Sequence, residues 1–159
     1  MVYTIGIDPG LDGAIGVLYG GVFVAVEEMP VHVKGSGYIK REVDAEELIR
    51  ALRRHVAPDC AAHVALERVG ARPGQGSSSM FSFGDSFGAA RASVAACRFE
   101  LTQVAPEVWK RHYGLSSEKL ASLELARGLF PAAELRLKKH ADRAEALLIA
   151  RWLYDTRYR

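Results

Sequence analysis

The sequence predicts an α/β fold built on a mixed five-stranded sheet, three antiparallel strands first and parallel strands after, flanked by helices. Three observations carry that prediction. The stretch from Val2 to Met29 holds three runs rich in apolar and β-branched residues, separated by Asp8-Pro9-Gly10, Leu11-Asp12-Gly13 and Gly20-Gly21. Helical periodicity begins only after Asp44 and then alternates with short apolar runs. The resulting order, three strands, helix, strand, helix, strand, helix, helix, suits a sheet covered by helices.

Val2 to Ile7 reads as a strand buried on both faces for much of its length, ending at Asp8. Ala14 to Leu18 and Val22 to Met29 complete an antiparallel meander. Pro30 to Lys40, with Gly35, Ser36 and Gly37, reads as an exposed loop. Asp44 followed by Glu47 is a capping-box variant, and Leu48, Ala51, Leu52 and Val56 give the helical stripe that stops near Pro58. His63 to Leu66 is a short apolar strand ending at Glu67. Arg68 to Ser79, holding Gly70, Gly74, Gly76 and three serines, reads as a long flexible segment. Phe81 to Cys97 reads as a helix despite Gly84 and Gly88, and Leu101 to Val104 as the fifth strand. Pro106 to Tyr113 is a short helical turn with proline at a permitted first position. Ser116 or Ser117 caps a helix running to about Leu129, and Ala141 to Tyr154 is the last helix. Trp109 and Trp152 are assigned to the core or an interface, and the small-residue face of Phe87, Ala89, Ala90, Ser93 and Val94 to either a dimer two-fold or the chain's own sheet.

At 159 residues the chain is read as one domain, 1–159, able to bury a core without disulfides or a structural metal. With 49% hydrophobic and 25% charged residues it has the profile of a soluble globule. A net charge of +2 does not by itself announce a nucleic-acid binder, but from Arg98 onward Lys and Arg outnumber Asp and Glu by 12 to 8. Cys60 and Cys97 stand alone in apolar stretches, which excludes CxxC zinc and thioredoxin-like chemistry and predicts two buried free thiols. The first apolar run is broken by Asp8 and Pro9, so no signal peptide is expected, and no run approaches the roughly 18 apolar residues of a membrane span. The expected compartment is the cytoplasm, and no membrane or organic cofactor is expected.

The acids carry the chemistry. Asp8 ends the first strand, Glu67 ends the fourth, and Asp142 and Glu145 lie three apart on one face of the last helix. A carboxylate at the end of an apolar strand is costly to bury without a positive partner, and a divalent cation would serve several such groups at once. Hard oxygen ligands select Mg²⁺ or Mn²⁺ over zinc. Two such ions held by four acids form a known clamp for phosphodiester hydrolysis. Each acid also has a plainer role open to it. Asp8 before Pro-Gly suits an Asx turn, and Glu67 could pair with Arg68 or Arg72. Asp142 complements a helix N-terminus, and Glu145 could be a solvated partner of Arg143 or Lys138. Asp12, in Leu-Asp-Gly, is a turn former.

Four segments resemble one family in order along almost the whole chain. Ile5-Gly-Ile-Asp-Pro-Gly10 with Gly16-Val17, Ala65-Leu-Glu-Arg-Val69, Pro106-Glu-Val-Trp-Lys110 with Gly114 and Lys119, and Ala141-Asp-Arg-Ala-Glu-Ala-Leu-Leu-Ile-Ala150 resemble the motifs of RuvC-type Holliday junction resolvases. The compact form is similar to phage-encoded members. The resemblance implies a ribonuclease-H-like fold, a homodimer, and paired nicks in a four-way DNA junction. By matching position it makes Asp8, Glu67, Asp142 and Glu145 metal ligands, with Lys119 as a further catalytic residue and Lys110 near the scissile phosphate. The implied cofactor is Mg²⁺, two per site, with Mn²⁺ able to substitute. The chain departs from the family pattern at Leu11, where a polar residue is usual, and at Glu145, where aspartate is usual.

Phosphate contacts need Lys, Arg and backbone donors. The candidates are Arg72, Ser77 and Ser78 of the Gly/Ser segment, Lys110, Arg111, Lys119, Lys138 and Lys139. Phe81 or Phe83 could stack on an unpaired base at a branch point or pack into the core. His140 reads as a solvated helix-start residue, with a metal-proximal base as the alternative. Two other functions compete: a ribonuclease-H-like nuclease acting on RNA or flaps, and a non-catalytic junction-binding module. A sugar-kinase-like ATP fold would need a second domain that 159 residues do not supply.

Overall fold

The computed structural model describes residues 1–33, 41–68 and 70–159. Strands β1 (Tyr3–Asp8), β2 (Ala14–Tyr19) and β3 (Val22–Glu28) form the antiparallel meander that the turn sequences predict. Two further pieces, β4 (Val31–Val33) and β5 (Arg41–Val43), pair as a separate antiparallel ribbon. Helix α1 (Ala45–Arg54) starts at Asp44, whose side chain accepts from Glu47 N at 2.9 Å. Then follow β6 (Ala62–Glu67), α2 (Ser77–Ala96), β7 (Glu100–Val104), α3 (Pro106–His112), α4 (Lys119–Leu129), a 3-10 turn at Lys138–His140 and α5 (Ala141–Arg157).

The main sheet runs β3-β2-β1-β6-β7, with β1–β6 and β6–β7 parallel. Alternation along β1 and β6 divides their side chains between two cores. Ile5, Ile7, Val64 and Leu66 face α1 and α2, meeting Leu48, Leu52, Ala90 and Val94. Ala65 faces the opposite layer with Leu147, Leu148, Trp109 and Leu123 from α3, α4 and α5. On that second face α5 lies against β1 and β2 so closely that only glycine fits beneath it. A Cβ on Gly6 would stand 2.0 Å from the Ala146 carbonyl oxygen, and one on Gly16 would stand 2.7 Å from Leu147 N. This contact places the first turns of α5, with its acids, over the ends of β1 and β6.

The differences from the sequence reading are local. The 30–40 segment is not all loop: residues 31–33 extend as β4, while 34–40, with Gly35, Ser36 and Gly37, lie outside the described residues, as does Val69 of the second motif. α2 begins at Ser77, four residues before the expected Phe81, because serines tolerate a first helical turn as readily as a loop. Neither Ser116 nor Ser117 caps α4; its N-cap is Glu118, whose backbone N–H donates to Ser116 Oγ at 3.3 Å. Cys97 is buried, but Cys60 is exposed in the turn that precedes β6. The face of Ala90, Ser93 and Val94 on α2 is used up inside the chain's own core. Among the described residues no helix is long and apolar enough to cross a membrane.

Candidate active site

Asp8 and Glu67 end neighbouring parallel strands. The register pairs Ile7 with Leu66, so the two carboxylates emerge side by side on the α5 face. The chain can turn away after Asp8 because Gly13 passes tightly behind it: a Cβ there would stand 2.0 Å from the Asp8 carbonyl oxygen. Asp142 and Glu145, one turn apart on α5, come down onto the same spot. One carboxylate oxygen each from Asp8, Asp142 and Glu145 lie within 4.8 Å of one another. The four acids sequence reasoning singled out therefore converge, with Glu67 flanking the other three.

Two lysines and two neutral donors hold the cluster. Lys110 Nζ lies 3.0 Å from Glu145 Oε1, and Lys119 contacts Asp142. Trp109 donates its indole N–H to Glu67 Oε2 at 2.7 Å, and Ser122 Oγ donates to Glu145 Oε1 at 3.4 Å. Glu145 is only 5% exposed, so it is not the solvated partner of Arg143 or Lys138 that its sequence position allowed; Arg143 instead pairs with Glu28 at 2.8 Å. Nor does Glu67 pair with Arg68 or Arg72, since its partner is Trp109.

The electrostatics show an unneutralised site. Burial, with repulsion from Glu67, Asp142 and Glu145, pushes the Asp8 carboxyl up to about 8 despite the opposing Lys119. Burial also raises Glu67, partly offset by the Trp109 N–H. Burial disfavours the Lys119 ammonium, but its bond to Asp142 and the charges of Asp142, Glu145 and Asp8 outweigh that and raise it. Four acids face two ammonium groups, and one acid keeps its proton to near neutrality. This oxygen-only donor set fits a hard divalent cation.

The acids lie in a cleft of about 1450 Å³ whose walls also carry Arg72, Lys110, Arg111 and Lys119. Arg41 and Arg68 line it too, neither of them among the phosphate-contact candidates; Arg41 pairs with Asp12 at 2.9 Å. The other candidates lie elsewhere. Ser77, Ser78 and Phe81 stand beside the cleft on the first turns of α2, and Lys138 and Lys139 sit in the 3-10 turn before α5, none of them lining it. Phe81 is 67% exposed, so core packing does not account for it, while Phe83 lines the cleft. His140 is buried rather than solvated. Leu137 N donates to its Nδ1 at 3.3 Å, and burial pushes its pKa down. It is not among the acids that cluster.

Trp109 makes a contact in this site that the sequence does not announce. Its burial was foreseen, its hydrogen bond was not. The signal lay in topology. Pro106 starts α3 just after β7, and β7 pairs with β6 at Glu67–Val104, so the first turns of α3 hang over Glu67.

Solved structures share this arrangement of elements, two RuvC structures among them. T. thermophilus RuvC in complex with a Holliday junction substrate matches with a TM-score of 0.65 and 19% identity, over 96% of this chain and 92% of that one. The chain has the RuvC fold. A second Thermus thermophilus RuvC structure matches with a TM-score of 0.56 and 18% identity, over 98% and 96% of the two chains. No family model matches the sequence, and no curated protein matches it either. The likeness to RuvC at these identities is one of fold. In this RuvC-like sheet the acids sit at the ends of β1 and β6 and on α5.

Proposed function

We propose that this chain is a metal-dependent, structure-selective DNA endonuclease that resolves four-way or other branched junctions by paired nicks. The observation that carries the reading is the meeting of Asp8, Asp142 and Glu145 beside Glu67 on the floor of a cleft walled by lysine and arginine. Acids on the floor and cations on the walls suit a phosphodiester that must be both held and cut. The match to RuvC solved with a Holliday junction substrate supports the substrate class.

Asp8, Glu67, Asp142 and Glu145 would hold two divalent ions, Mg²⁺ with Mn²⁺ as substitute. Such ions supply Lewis-acid activation of the attacking water and stabilisation of the departing oxygen. The chain's own groups do the rest. Lys119 and Lys110, paired here with Asp142 and Glu145, would be the ammonium groups at hand for phosphate oxygens. Arg72 and Arg111 position the backbone from the cleft wall, with Lys138, Lys139, Ser77 and Ser78 as outer contacts. Phe81, exposed on the first turns of α2, would stack on an unpaired base beside the cleft.

Residues 1–159 act as one domain in this reading, and two copies supply the two nicks. The test is Mg²⁺-dependent cleavage of a synthetic four-way junction, a Y-fork, a linear duplex and an RNA–DNA hybrid, with product ends mapped on both strands. Paired nicks on the four-way junction are expected. Preference for the hybrid, or equal cutting of the linear duplex, contradicts the proposal.

A further inference from the structure

Trp109 lies beneath the acid cluster and has no metal-binding or charge-bearing chemistry of its own. It is fully buried in the core between β6, α4 and α5, where a phenylalanine or leucine would fill space as well. An indole there brings a polar N–H that must find an acceptor. The acceptor is Glu67 Oε2 at 2.7 Å, and no other hydrogen bond to the Glu67 carboxylate is made by a described residue. We propose that Trp109 is a positioning residue for the cation site: it ties down one oxygen of Glu67 and leaves the other to bind. This rests on the nuclease reading above.

A neutral donor suits this task better than the lysines around it. The ammonium groups of Lys110 and Lys119 balance Glu145 and Asp142 electrostatically, so they compete with any cation for the same charge. The indole N–H carries no net charge and does not compete. It orients Glu67 both before and after a cation arrives, as donors behind metal ligands commonly do. Lys110 Nζ lies 5.2 Å from the centre of the Trp109 ring, so the face of the same side chain also braces the lysine that reaches Glu145. Two adjacent residues of α3 thereby hold acids from two different elements, β6 and α5.

The test is Mn²⁺ binding by calorimetry to the wild type, Trp109→Phe, Glu67→Gln and the double variant, each with its melting temperature. Trp109→Phe keeps the ring and removes the N–H. It is expected to weaken Mn²⁺ binding about tenfold to a hundredfold, and to cost nothing further once Glu67→Gln has removed the carboxylate it orients. Wild-type Mn²⁺ affinity in Trp109→Phe, whatever its melting temperature, overturns the proposal while leaving the nuclease reading intact. An equal loss in both backgrounds also overturns it. A wild type that binds no Mn²⁺ overturns both. Should Trp109→Phe fail to fold, the indole N–H resonance of the intact chain decides, with Trp152→Phe to assign it. A resonance that moves when Glu67 becomes Gln supports the bond, and one that does not move overturns it.

Discussion

Gly6→Ala tests how the fold delivers its acids. The new methyl would sit 2.0 Å from the Ala146 carbonyl oxygen and 2.5 Å from Ala150 N, both backbone atoms of α5. Ordinary contact begins at 3.4 Å, so α5 must lift from β1 by about 1.4 Å. Backbone cannot swing aside as a side chain can, so the cost falls at the upper end of overpacking, about 3 kcal/mol. In a chain of this size that lowers the melting temperature by about 6–12 °C. The lift also carries Asp142 and Glu145 away from Asp8, and a displacement of about 1 Å at reacting groups costs about 100-fold in rate. Gly84→Ala is the control, because nothing lies within 4 Å of its Cβ position in mid-α2. It is expected to stabilise the chain by about 0.5–1 kcal/mol. Melting curves and single-turnover junction cleavage of both variants suffice. A Gly6→Ala protein that melts and cuts like the wild type would refute the claim that α5 is held down by that close approach.

Other expectations follow from the same structure. In metal-free buffer, native Asp8 keeps its proton to about pH 8, whereas the unfolded chain releases it near 3.8, so stability falls as pH rises through that interval and levels off above it. His63 and His140, pushed down by burial, act with the opposite sign only below their ordinary 6.5. Melting temperature should therefore drop between about pH 6.5 and 8 in EDTA, and Asp8→Asn should flatten the drop; a flat wild-type profile contradicts the charge accounting. Arg98 follows α2 with φ of +57°, and Arg98 N and Phe99 N close a Schellman turn onto Ala95 O and Val94 O. Arg98→Gly should raise stability by about 1 kcal/mol, read as a higher urea midpoint, and a lower midpoint would count against it. Arg72→Ala should reduce the slope of log affinity against log salt for junction DNA by about 0.9, the signature of one lost phosphate contact, and an unchanged slope removes Arg72 from the interface.

The sheet was legible because its strands are apolar runs cut by Asp-Pro-Gly, Asp-Gly and Gly-Gly, which leave few other conformations. The acids were legible because Asp8 and Glu67 stand where apolar strands end and a lone charge is expensive. What escaped depended on partners far along the chain. The β4–β5 ribbon is two three-residue pieces, Val31–Val33 and Arg41–Val43, whose pairing no periodicity can announce. Burial of His140 depends on how α4 and α5 close around the 3-10 turn, and exposure of Cys60 on the turn at Asp59, so local hydropathy misjudged both. Trp109 reads as a core residue because indole is mostly apolar; only the juxtaposition of α3 with the end of β6 reveals its hydrogen bond to Glu67.

Cleavage of a four-way junction as a function of Mg²⁺, by the wild type beside Asp8→Asn, tests the convergence of the acids most directly. The expected result is that the wild type cuts only when Mg²⁺ or Mn²⁺ is added. Asp8→Asn should bind the junction at least as well, having lost a carboxyl from the cleft floor, and leave it uncut. Nicking without a divalent ion, or nicking by Asp8→Asn, would contradict it.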